Sequence, residues 1–210
     1  NADFVSGFPR QVLVTFGEKL LVPIFYWAFI SFTPLVANLA LRRSHVTRAI
    51  GQMMVFKRSA YDAVGGHASV KSSVVDDLDL AKRMRRLGLT CRMMDATNII
   101  SCRMYNNGRE AYDGFNKNLF PAFGYRILPY FFVWLFVGYA YIAPLIWLGM
   151  HLALPGGLPL PVWLLYATIA LSMLQWVFSY TRLRLPVWLG VFYPLVISAY
   201  EVLAVASFVN

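Results

Sequence analysis

From Ile127 to Thr181 the chain contains no Asp, Glu, Lys or Arg. A soluble helical arrangement does not leave so long a stretch uncharged, whereas membrane spans require it. Charge is scarce overall, at 14% of 210 residues, where soluble domains carry about a quarter. It is also confined to one end, since 17 of the 19 Lys and Arg and 9 of the 10 acids stand at or before Arg126. Cysteine is nearly absent. Cys91 and Cys102 have no zinc spacing, and in a reducing compartment they fill a core rather than form a disulfide. The net charge of +9 suggests an anionic partner. The arginines are not interleaved with exposed aromatics on a recognisable module, so nucleic acid is excluded in favour of anionic headgroups or a phosphate-bearing substrate. Internal repeats, low-complexity tracts and a signal peptide are also missing. The chain opens at Asn1 without Met, in what reads as the middle of a strand, as a fragment would.

Hydrophobic residues supply 59% of the chain. Three spans are predicted, at about 128–148 with a kink at Pro144, 161–180 and 186–208, each near the roughly 20 residues a bilayer needs. The connector HLALPGGLPLP carries no formal charge, while the flanks KNLFPAFGYR and TRLRLP hold Lys117, Arg126, Arg182 and Arg184. The positive-inside rule then sets both basic flanks, and the charged region before them, in the cytoplasm. The expected division is residues 1–126 as cytoplasmic domain and 127–210 as three transmembrane helices of a multi-pass cell (inner) membrane protein. The one acid within the spans, Glu201, is expected near the far interface. An earlier apolar run at 20–41 would make a helix of about 33 Å, long enough to cross a bilayer. Pro23 and Pro34 break it, and an interfacial or re-entrant element is expected there.

In the charged part, NADFVSGFPRQ reads as a short strand leaving through Gly7 and Pro9, and QMMVFK as a buried strand. RSAYDAVGG reads as a short helix closed by Gly65 and Gly66. DDLDLAKRMRRLG is a helix with Leu78, Leu80, Ala81 and Met84 facing in, its cations facing out and Gly88 ending it. One or two strands follow in TCRMMDATNIISCRMY, then an amphipathic helix in REAYDGFNKNLF. Strands alternating with helices indicate an α/β layer.

Asp76, Asp77 and Asp79 can be read in two ways. Acids in a first helical turn cap free N–H groups and complement the macrodipole, each contributing up to about 1 kcal/mol. Three of them in four positions exceed what a cap needs. A carboxylate at the mouth of a strand-loop-helix unit, where ligands collect in open α/β sheets, is also placed to take a proton from a hydroxyl.

The order GQMMVFKRSAYDAVGGH, VVDDLDLAKRMRRLG and RMYNNGREAYDGFNKNLF ahead of membrane spans resembles the C-terminal half of a membrane-bound family 2 glycosyltransferase, of the branch that glycosylates carotenoid, hopanoid or other lipids. The resemblance implies part of a Rossmann-like glycosyltransferase A fold followed by a transmembrane region. It implies Asp77 as general base and Asp76 as its orienting neighbour, with Leu80 at the leucine position of the motif. Inverting transfer of a single sugar from a nucleotide-sugar donor to a lipid acceptor at the cytoplasmic face would follow. On the same footing, Gly51 and Gln52 line the acceptor side, and Gly66 and His67 form a loop near Asp77. The family's Q-x-x-R-W motif is missing, which leaves Arg103, Arg109 and Lys117 as candidates for the leaving-group charge. Arg103 and Lys117 are favoured among these; the plainer alternatives are a turn before a buried strand for Gly51 and Gln52, an exposed loop histidine for His67 and a cation at the membrane surface for Lys117. A divalent cation, Mg or Mn, is implied for the whole enzyme, with ligands upstream of Asn1 and no metal site in this chain.

Two other readings compete. A non-catalytic multi-pass membrane protein could bind anionic lipid or a partner through its basic face, and a polysaccharide synthase could export polymer through its spans. Only three spans and the missing motif weigh against the synthase.

Overall fold

The computed structural model describes residues 2–32, 49–182 and 184–209. In chain order its helices are α1 (Phe16–Leu21), α2 (Pro23–Phe32), α3 (Arg58–Ala63), α4 (Asp76–Arg86), α5 (Gly108–Leu119), α6 (Ile127–Ala153), α7 (Val162–Arg182) and α8 (Tyr193–Val209). Its strands are β1 (Phe4–Gln11), β2 (Met54–Phe56) and β3 (Cys91–Cys102). Composition changes at Arg126, but packing groups the chain differently: Asn1–Leu13 with Ala28–Tyr105 form one unit, and Val14–Trp27 with Asn106–Asn210 form the other.

The first unit is a small α/β layer. Its described sheet has the order β2-β1-β3, with β1 antiparallel to β2 and parallel to β3. Strand β1 does not leave at Gly7 and Pro9 as expected, but continues to Gln11. Gly7 is required inside it, because a Cβ there would lie 2.7 Å from Met53 Sδ and 3.0 Å from Ala96 Cβ. Pro9 marks a break in pairing rather than an end. Pro9 sits opposite Ala96 and Arg10 opposite Ser101, so Thr97 to Ile100 of β3 have no counterpart on β1. A proline has no N–H to give to a ladder, and such residues mark irregularities. The QMMVFK segment yields only the three-residue edge strand β2, which is half exposed rather than buried. One long strand, β3, takes the place of the one or two expected.

Leu80, Ala81 and Met84 of α4 are fully buried against Phe4, Ala60, Val64 and Val70. Side chains such as Leu80 and Met84 each contribute about 1.5–3 kcal/mol when taken from water. The 3.6-residue period of that stripe is why the segment is helical. Leu78, expected inside, is only half-buried. Gly88, with φ of 74°, ends the helix in the left-handed conformation.

In the second unit three helices are long and apolar enough to cross a membrane, at Ile127–Ala153, Val162–Arg182 and Val187–Val209. The last joins a 3-10 turn to α8. These agree with the predicted spans to within a few residues and suggest membrane association. Helix α1 opens with a reciprocal cap between Thr15 and the buried Glu18. It crosses α5 at two glycines, where a Cβ on Gly17 would lie 2.7 Å from the Gly108 Cα. The described start of the 20–41 element is fastened to the long helices by tyrosines. Tyr180 donates to the Lys19 carbonyl at 3.3 Å and Tyr200 to the Leu21 carbonyl at 3.1 Å. Trp27 stacks on Trp176 with ring centres 5.1 Å apart. The remainder of that element, residues 33–41, lies outside the described residues.

Glu201 packs on α6, where a Cβ on Gly138 would meet its Oε1 at 3.0 Å. Its buried Oε1 has no hydrogen-bond partner among the described residues.

Candidate active site

Several candidate residues meet at one end of the three-stranded sheet. Strands β1 and β3 run parallel, so Gln11 and Cys102 bring their carboxyl ends together, and the Val12 N–H donates to the Cys102 carbonyl at 2.9 Å. Arg103 follows directly and is exposed there. Strand β2 runs the other way, so the loop that precedes it, Ile50 to Met53, arrives at the same end. Ser6 holds that loop: its buried Oγ accepts from the Ile50 N–H at 2.8 Å and donates to the Ile50 carbonyl at 3.2 Å. The Gly51 N–H then donates to Asp77 Oδ2 at 2.8 Å, tying the mouth of α4 to the loop. Ligands collect at the carboxyl ends of strands in open α/β sheets.

The three acids of the stretch have three different settings. Val75, the residue preceding α4, makes no side-chain cap. Asp76 is exposed, and its Oδ1 accepts from the Asp77 N–H at 2.9 Å. Asp77 Oδ1 accepts from the Leu78 N–H at 2.7 Å. First-turn N–H groups are therefore served partly by these side chains, as the capping reading requires. Of these two, only Asp77 reaches beyond the helix as well, to the Gly51 loop. Burial pushes its carboxyl above the ordinary range; the Leu78 and Gly51 N–H groups oppose that rise and the Asp76 carboxylate adds to it. Each oxygen has accepted one hydrogen bond and retains a second acceptor site. Asp79 is structural by contrast. It accepts from Ser73 Oγ at 2.7 Å and pairs with Lys82 at 2.8 Å. Burial raises its carboxyl, but Lys82 and Ser73 outweigh this and leave it below the ordinary range.

Residues 10–106 match the family model described as Glycosyl transferase family 21. The match supports a glycosyltransferase. No curated protein and no solved structure matches the chain. The activity class is the one the resemblance implied, although the matching model is that of family 21 rather than family 2. The family 21 match spans Gly51, Gln52, Gly66, His67, Asp76, Asp77 and Arg103, and stops short of Arg109 and Lys117.

The structure does not treat the remaining candidates alike. His67 Nδ1 lies 2.7 Å from the Tyr61 hydroxyl, and the His67 N–H donates to the same oxygen at 3.1 Å. Gly66, with φ of 54°, passes so close to the Tyr61 ring that a Cβ would meet it at 2.6 Å. The His67 ring also packs edge-on against Phe56, which pairs with Phe4 at the entering end of β1. Arg109 and Lys117 are exposed on α5, in the second unit.

Gln11 was not among the residues singled out from the sequence. It is 9% exposed, and its Nε2 donates to Gln52 Oε1 at 2.8 Å. Gln11 Oε1 and Gln52 Nε2 are both buried without a partner among the described residues. Leaving such a group dry costs about 1–3 kcal/mol. The available signal was an amide closing a strand at the end where ligands gather.

Proposed function

We propose that the chain carries the acceptor side of an inverting glycosyltransferase, which moves a single sugar from a nucleotide-sugar donor to a lipid hydroxyl at the cytoplasmic membrane face. The observation that carries the reading is the half-buried Asp77 carboxylate, fixed by Gly51 at the carboxyl ends of β1 and β3, within the stretch that matches family 21. A carboxyl raised by burial has more of the proton affinity a general base needs than an ordinary aspartate. Asp77 takes the proton of the acceptor hydroxyl. The hydroxyl oxygen bonds to the anomeric carbon as the bond from that carbon to the diphosphate breaks, and the nucleoside diphosphate leaves with the bonding pair. Asp76, bonded to the Asp77 N–H, positions the base. Gly51 and Gln52 border the acceptor, and Arg103 is a cation that directly follows the end of β3.

Roles for Gly66 and His67 in the substrate loop, and for Arg109 and Lys117 in drawing off the diphosphate, belong to the same proposal. A bound Mg or Mn ion would neutralise the departing diphosphate. The described residues include no group of three or more His, Cys, Asp or Glu able to hold it.

The membrane-length helices support a lipid acceptor. The test is sugar transfer from a panel of labelled nucleotide sugars into extractable lipid, using membranes that contain the full-length protein. Asp77→Asn is expected to abolish transfer, and charge reversal at Arg85 and Arg86 to leave most of it. The opposite ranking would favour a non-catalytic protein that binds anionic lipid through α4, and a product of many sugars would favour a polysaccharide synthase.

A further inference from the structure

We infer that Gln11 and Gln52 form a hydroxyl-binding amide pair beside Asp77, which reads one non-reacting hydroxyl of the substrate. This rests on the glycosyltransferase reading and adds Gln11 to its site. Gln11 closes β1 next to the end of β3, and Gln52 follows Gly51, the residue whose N–H holds the Asp77 carboxylate. The two amides are joined by one hydrogen bond of 2.8 Å. The Pro9 carbonyl, 3.5 Å from Gln11 Nε2, favours this orientation over its reverse. What the bond leaves over is one acceptor, Gln11 Oε1, and one donor, Gln52 Nε2, both buried and unpartnered among the described residues.

That pattern has a chemical complement. A hydroxyl gives one hydrogen and accepts another, so a single hydroxyl can satisfy both atoms at once. A carboxylate or phosphate has no hydrogen to give Gln11, and an ammonium group accepts nothing from Gln52. The pair therefore selects neutral polyols over charged groups. Gln52 is half-buried, and the torsion that turns its terminal amide is broad. The same chemistry is offered by the sugar of the donor and by the polar head of the acceptor.

The experiment uses the full-length protein in membranes and whichever nucleotide sugar of a labelled panel is transferred. Donor analogues lacking one hydroxyl each, and acceptor analogues lacking one non-reacting hydroxyl each, are compared in wild type, Gln11→Met and Gln52→Met. Methionine keeps the length of the side chain without its polar atoms. Wild type is expected to lose about 10- to 100-fold in kcat/KM with one analogue. Gln11→Met is expected to lose a similar factor with the full substrate while discriminating less than about threefold against that analogue. An affected donor analogue assigns the pair to the sugar, and an affected acceptor analogue assigns it to the lipid head. If Gln11→Met does not fold, as judged by thermal unfolding in detergent, Gln52→Met carries the same test. Discrimination unchanged in a folded variant overturns the inference and leaves the transferase reading standing. Absence of transfer from every nucleotide sugar overturns both.

Discussion

Asp77 Oδ2 lies 2.8 Å from the backbone nitrogen of Gly51, a residue 26 positions earlier in the chain. That bond links the mouth of a helix to a loop at the end of a sheet, and it separates Asp77 from its two neighbours. Asp77→Asn keeps an acceptor for the Gly51 N–H but cannot take a proton. A loss of about 10²–10⁴-fold in kcat is expected, with the fold intact by circular dichroism.

The same carboxyl should shape two pH profiles. Transfer is expected to fall as pH drops through a value above the ordinary range of an aspartate, because the base is lost on protonation. Stability moves in the opposite sense. Between the ordinary 3.8 and the raised folded value, the native state binds more protons than the unfolded state, so stability falls as pH rises through that window. Denaturant unfolding of wild type and Asp77→Asn across this range checks the sign, since the variant should lack that slope.

Asp79→Ala supplies the contrasting case. It removes the hydrogen bond from Ser73 and an ion pair with Lys82 whose side chains are 38% and 43% exposed. Discounted for solvent, the cost is about 1 kcal/mol. Because the folded carboxyl lies below its ordinary value, this stabilisation is present above 3.8 and is lost as pH falls through the folded value. Transfer at saturating substrate should stay within about threefold of wild type, a ratio of about 0.6 kcal/mol. A loss comparable to that of Asp77→Asn would mean that the two acids had been distinguished wrongly.

Gly66→Ala should destabilise the first unit by about 2–4 kcal/mol, combining the strain of its backbone with overpacking against Tyr61. Its φ of 54° and ψ of −160° suit glycine alone, and the added carbon would sit 2.6 Å from the ring. Tyr61→Phe, which removes both contacts with His67, should cost only about 0.5–1.5 kcal/mol. Thermal unfolding of the two variants measures the difference.

Membrane topology can be read by labelling single cysteines with an impermeant maleimide after Cys91 and Cys102 are replaced by Ser. Ser72→Cys and Pro155→Cys both place the thiol at exposed positions. They are expected to react from opposite sides of the bilayer, with Ser72→Cys on the side of the basic flanks. Reaction from one side only would require a different arrangement of spans.

The sequence shows most clearly what rests on composition and period. Uncharged runs locate the three long helices, and the spacing of Leu80, Ala81 and Met84 predicts both α4 and its buried face. Strands were harder to read because pairing depends on residues far apart. Nothing local to Pro9 reveals that β3 skips from Ala96 to Ser101 opposite it. Asp77 stood out through its acidic neighbours, whereas its partner Gly51 and the amide of Gln11 depend on contacts 26 and 41 residues away. The approach of Glu201 to Gly138 likewise joins two helices far apart in sequence.

The pairing of Glu201 with Gly138 also bears on how the helices enter the bilayer. A charged side chain within a span costs up to about 3 kcal/mol during insertion, and Glu201 lies within the last one. The last helix therefore carries a cost that the first long helix does not, since its own segment holds an acid. Its natural route is to leave the translocon against α6, with the acid already set over the glycine. Biogenesis then has a direction: the first long helix prepares the place of the third, and a ribosome-bound intermediate lacking α6 should release its final segment to the aqueous side.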